Sequence, residues 1–151
     1  MGNFPASQTQ TLRLRARIIR CVHQFFAEQG CDEIHVPTLV HSPGLEPHLD
    51  AFQVDSTEGV MYLHTSHEYA LKKVLGDGLK RVYSLGPCFR NEPASRTHSP
   101  QFTMLEWYIS GFDIFKLMAQ TEALIQTIWR GLERPALECD GRPLDLEAPF
   151  E

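Results

Sequence analysis

The sequence predicts an antiparallel α+β domain. Two segments with helical apolar spacing flank the chain's middle, which is filled with short alternating runs. Gly, Pro and Asp punctuate those runs at close intervals. At 151 residues there is room for one compact domain, and 42% hydrophobic content excludes wholesale disorder. The longest apolar runs, such as 22–27, are far shorter than the ~20 residues of a membrane span. A net charge of −5 argues against a protein that holds nucleic acid by bulk positive charge, and leaves room for a local basic patch. The N-terminus has no basic stretch leading into an apolar one, so no secretory signal is expected, and the chain is expected to be cytoplasmic.

Residues 1–8 are polar and contain Pro and Gly, which predicts a flexible tail before a domain spanning 9–151. From Thr9 to Gln29, Leu12, Ala16, Ile19, Val22 and Phe26 recur at helical spacing, and Gly30 supplies the stop. Glu33–Val36 alternates like a strand and ends at Pro37, and residues 41–50 form a loop. A hairpin is expected for 51–54 and 60–63, turning through 56–59. Ser66–Leu75 predicts a helix buried through Leu71, Val74 and Leu75. Residues 82–85, 88–90 and 102–108 are the strongest strands. Asp113 is expected to cap a helix reaching Trp129 and packed through Ile114, Met118, Ile125 and Ile128. A small hairpin around Asp140-Gly141 follows.

Chemistry concentrates in Phe89-Arg90-Asn91-Glu92 and Phe102-Thr103-Met104-Leu105-Glu106-Trp107-Tyr108. Residues two apart in a strand share a face, so Arg90 projects with Glu92, and Phe102 with Met104, Glu106 and Tyr108. If the strands pair, one face collects a guanidinium, two carboxylates, a ring and a phenol. That set suits an anionic, aromatic ligand: Arg grips phosphate bidentately and a ring stacks on a base. The plainer reading is an exposed Arg–Glu pair worth ~0–1 kcal/mol. The connection carries Arg96 and His98 and is longer than a hairpin requires. Thr65-x-x-Glu68 fits a capping box, which accounts for Glu68 without a ligand. Arg13, Arg15, Arg17 and Arg20 are expected to form a solvated helix face, with RNA contact as the alternative. Cys88 and His98 lack a third group to make them a nucleophile and base. Cys21, Cys31, Cys88 and Cys139 are scattered without a C-x-x-C pair, and the histidines show no ligand spacing, so reduced thiols and no metal site are expected.

Residues 89–92 with His98-Ser99-Pro100-Gln101 and 102–108 resemble motif 2 of class II aminoacyl-tRNA synthetases of the lysine type. Gly30–Pro37 resembles motif 1, the helix–strand unit that usually builds a dimer interface. The Met104–Tyr108 stretch is most similar to the elongation factor P–lysine ligase branch, a paralog of lysyl-tRNA synthetase. The resemblance implies the N-terminal half of a class II catalytic domain: an antiparallel sheet with flanking helices, containing motifs 1 and 2 and stopping before motif 3. It implies ATP with Mg2+, the metal's ligands lying in the remaining half. Arg90 would be catalytic, binding the α-phosphate. Asn91, Glu92, His98, Ser99 and Phe102 would complete the ATP site, and Ser66, His67, Glu68, Glu106 and Tyr108 would bind lysine or β-lysine. Ser99, Gln101 and His67 stand where the family has Asn, Glu and Pro. The implied acceptor is elongation factor P, with tRNA-Lys as the alternative and a homodimer through motif 1. A non-catalytic module that dimerises or binds ATP is the third alternative.

Overall fold

The computed structural model describes residues 6–133, 135–147 and 150. The first apolar stripe winds into helix α1 (Ala6–Glu28), which is followed by Gly30 at φ +67°. Residues 6–8, expected in a tail, are helical, and 1–5 lie outside the described residues. Val22, Phe25 and Phe26 are buried, but Leu12 and Ala16 of the predicted stripe are exposed. The second long helix, α3 (Ile114–Gly131), begins at Asp113, whose carboxylate accepts the Lys116 N–H at 2.8 Å. This cap satisfies a donor that the first helical turn leaves open.

The buried face of α3 differs from the predicted one. Gln120 and Leu124 are buried, while Ile114 and Met118 are about 60% exposed. Periodicity located the stripe, but α1 selects the contact line. Arg17 reaches the end of α3, donating to Gly131 O at 2.9 Å and pairing with Glu133 at 2.8 Å. Gly131 is required for that approach, because a Cβ there would lie 2.4 Å from Cys21 Sγ. The terminal hairpin pairs β7 (Glu138–Cys139) with β8 (Arg142–Pro143), as expected, and Asp140 and Gly141 both take positive φ. These elements make one compact unit, within Met1–Gly30 and Gly111–Glu151.

The second unit, Cys31–Ser110, holds the sheets and helix α2 (Glu68–Gly76). One sheet has the order β1-β5-β6, where β1 is Asp32–Glu33, β5 is Arg81–Phe89 and β6 is Gln101–Ile109. β5 and β6 are antiparallel, with Cys88 opposite Phe102 and Ser84 opposite Glu106, whereas β1 joins β5 in parallel. The strand expected through Val36 thus stops at Glu33, although Ile34 N–H still reaches Tyr83 O at 2.8 Å.

β5 replaces two predicted strands, running unbroken through Gly86-Pro87. The hydrogen bonds explain why the proline is tolerated. Tyr83 O accepts from Ile34, Pro87 O from His64 Nε2, and Phe89 N–H donates to His64 O. Odd-numbered residues of β5 therefore turn their backbone groups away from β6, and Pro87 sits where that ladder needs no donor. A second sheet, order β2-β4-β3, is built on the hairpin β3 (Gln53–Ser56) and β4 (Gly59–Leu63), with β2 (Leu39–Val40) on its other edge. Its turn is two residues long, tighter than expected, and Ser56 Oγ donates to Gly59 O at 2.8 Å.

Candidate active site

Strand parity puts Phe102, Met104, Glu106 and Tyr108 on one face of β6, and the register adds Cys88 and Ser84 opposite them. At the outer end of this face the segment 90–100 folds over into a cavity of about 470 Å³. Arg90, Glu92, His98, Ser99 and Phe102 line it together, with Ser95, Arg96 and Thr97. The Arg90 guanidinium lies over the Phe102 ring at 5.2 Å, within cation–π range. Arg90 N–H bonds Pro100 O at 3.0 Å, closing the base of the loop.

Ser95 organises the rest of the loop. Its hydroxyl oxygen accepts from the N–H groups of Thr97 and His98 at 3.3 and 3.1 Å, and it meets His98 Nδ1 at 3.0 Å. Sequence reasoning named His98 but missed Ser95 and Thr97. The signal was available in Ser95-x-x-His98, a serine placed to hold a turn. Asn91 does not line the cavity. It is exposed, and its N–H donates to Asp50 O at 2.8 Å.

A second cluster lies further along β6. Glu106 Oε1 accepts the backbone N–H of His67 at 3.2 Å, and Tyr108 O–H approaches Oε2 at 3.5 Å. Burial first, then the charges of Glu106 and Glu68, push the Tyr108 phenol up to about 12, so it stays a donor. Glu68 pairs with Lys72 one turn along α2, and Lys72 Nζ lies 6.0 Å from the Tyr108 ring. The capping box does not form: Thr65 Oγ1 donates to Pro43 O at 3.0 Å, and Ser66 Oγ accepts the Glu68 N–H at 3.0 Å. Ser66 is half-buried beside this group. The His67 ring is buried, 1% exposed, and packs against Gly86 rather than opening onto solvent.

The two clusters thus differ in chemistry. The first offers cations and a ring for a phosphorylated aromatic molecule, the second offers carboxylates for an ammonium. The cavity has a single carboxylate, Glu92, among its lining residues, which does not make an octahedral magnesium cage. No helix of the described residues is long and apolar enough to cross a membrane.

The chain matches the family of class II tRNA synthetases (D, K and N) over residues 5–151. Relatives named elongation factor P–(R)-β-lysine ligase are similar to it. That of Vibrio cholerae is 36% identical over 84% of this chain and 41% of its own length. That of Yersinia enterocolitica is 37% identical over 90% and 41%, and that of Avibacterium paragallinarum 38% over 82% and 40%. The chain therefore spans about 41% of the length of the relatives it matches. With the motif 2 strands paired as the family resemblance implied, and with the match running through nearly the whole sequence, the chain belongs to the class II tRNA synthetase family.

Proposed function

We propose that this chain supplies the ATP-binding part of a ligase that activates lysine or (R)-β-lysine as an adenylate and transfers it to a lysine of elongation factor P. The observation carrying this reading is Arg90 stacked at 5.2 Å on Phe102, inside a cavity that also holds Arg96 and His98. Adenine would stack on the exposed side of Phe102, and Arg90 would grip the α-phosphate while His98 reaches the outer phosphates. Glu92 and Ser99, which line the cavity, would hold the edges of the nucleotide. At the far end Glu68, Glu106 and Tyr108 would take the ammonium of the amino acid beside Ser66, with Lys72 displaced from Glu68. His67 would serve there through its backbone N–H on Glu106.

No general base is required, because a carboxylate is ionised at neutral pH. Its oxygen forms a bond to the α-phosphorus as the bond to pyrophosphate breaks, and Arg90 stabilises the charge gathering there. The acceptor amine then attacks the acyl carbon and AMP leaves. Magnesium would arrive on the phosphates rather than in a protein cage within this chain. A homodimer through the region Gly30–Pro37 and a cytoplasmic location complete the proposal.

The test is amino-acid-dependent ATP–pyrophosphate exchange, comparing L-lysine with (R)-β-lysine and wild type with Arg90→Ala. Exchange that requires Arg90 and prefers (R)-β-lysine supports the reading. Charging of tRNA-Lys in place of elongation factor P favours the tRNA alternative. ATP binding without exchange leaves a nucleotide-binding module and overturns the ligase assignment for this chain.

A further inference from the structure

Behind the loop cavity, three side chains with metal-ligand chemistry converge from distant parts of the sequence. His64, His67 and Cys88 are 5%, 1% and 0% exposed, and each presents a ligand atom within 4.8 Å of the other two. Cys88 Sγ lies 4.0 Å from His64 Nε2, and the two imidazole rings are 5.1 Å apart between centroids. Met104 adds a thioether, its sulfur 3.9 Å from Cys88 Sγ.

Two histidines and a cysteine buried together need a reason. Neither ring nitrogen of His67 has a partner of good hydrogen-bond geometry, in a position closed to water. Buried polar atoms are nearly always paired, so this is a site short of one group. His64 Nε2 donates to Pro87 O at 2.7 Å. The same Nε2 lies nearest Cys88 Sγ, so ligation through it exchanges the carbonyl for the metal.

We propose that His64, His67 and Cys88 form a buried binding site for a thiophilic transition-metal ion of the zinc(II) class. Two imidazoles and a thiolate are the donors such ions prefer over oxygen-rich cages, and magnesium and calcium are excluded by the same chemistry. On binding, the Cys88 S–H bond breaks, its proton leaves to solvent and sulfur bonds the metal. The thiol is the ligand that must lose a proton, so binding couples to proton release. Ligation clamps the turn that holds His67 onto β5, and the backbone N–H of His67 already bonds Glu106.

Cobalt(II) titration of the 151-residue chain tests the site, because cobalt occupies zinc sites and reports its ligands optically. The expected result is a thiolate-to-cobalt charge-transfer band with tetrahedral visible bands, removed by zinc. Cys88→Ser abolishes the charge-transfer band, His67→Gln weakens cobalt binding at least about tenfold, and Cys139→Ser leaves both unchanged. If Cys88→Ser fails to fold, the thiolate band of the wild-type chain and its loss with His67→Gln decide. No thiolate band, or a band lost with Cys139→Ser and kept with His67→Gln, overturns the proposal and reduces the cluster to core packing.

Discussion

Phe102 and Arg90 touch each other, yet they should fail in different ways when removed. Phe102→Leu keeps the half-buried apolar volume opposite Cys88 but deletes the π-face under the Arg90 guanidinium. Base stacking on an aromatic ring is worth about 1–3 kcal/mol, so ATP binding should weaken roughly 5- to 140-fold. Inorganic tripolyphosphate has no base, and its affinity should fall by less than about threefold, reflecting only the lost orientation of Arg90. Arg90→Ala removes charge-assisted hydrogen bonds worth about 1.5–3 kcal/mol, so both ligands should weaken roughly 12- to 140-fold. Arg90→Lys should recover part of that loss, since it restores charge without the planar fork. Calorimetry of both ligands against the three variants reads this pattern directly. If Phe102→Leu weakens tripolyphosphate as much as ATP, the ring is a structural prop and the stacking assignment is wrong. If Arg90→Ala leaves both affinities within twofold of wild type, the cavity is not a phosphate site.

Asp113→Ala deletes the cap on α3 and should cost about 1 kcal/mol, lowering the melting temperature of the 151-residue chain by about 2–4 °C in a thermal scan. Cys139 is exposed whereas Cys31 and Cys88 are buried, with burial raising both thiols and taking Cys88 to about 12. Timed alkylation read by mass spectrometry should therefore modify Cys139 first and those two last. Burial, then Glu33, raises the Tyr83 phenol to about 12, so the fold favours the protonated ring. Its contribution is complete below the ordinary tyrosine value near 10 and is lost as pH rises through about 12. Tyr83→Phe should flatten the alkaline limb of a stability–pH curve measured with urea.

Much of this architecture was legible because it depends on neighbours in sequence. The parity of 102–108, the Asp113 cap and the Asp140-Gly141 turn are local facts, and the structure keeps them. What sequence could not supply was decided across the chain. Gly86-Pro87 looks like a break, until the hydrogen bonds show that Pro87 faces His64 rather than β6. The apolar stripe of α3 is visible, but its contact line depends on α1, so Ile114 and Met118 were misplaced. His64 and Cys88 are 24 residues apart, and nothing in their spacing announces that a turn lays one across the other. Ligand spacing is informative when a single helix or loop carries the donors, which is not the case here.

The separation of the two candidate clusters follows from strand geometry alone. Phe102 and Glu106 are four residues apart on β6, which at about 3.4 Å per residue places them about 14 Å apart on one face. Their spacing therefore cannot drift unless the strand itself shifts. Substituting Met104 between them should change packing but leave both side chains pointing the same way. A single residue inserted between 102 and 106 would turn Glu106 and Tyr108 to the opposite face, away from the His67 N–H that now bonds Glu106. By this geometry a substitution within the strand preserves the direction of both side chains, whereas a change of register does not. The length of any ligand that reaches from the Arg90 cavity to Glu106 is set by the β5–β6 ladder rather than by any one contact.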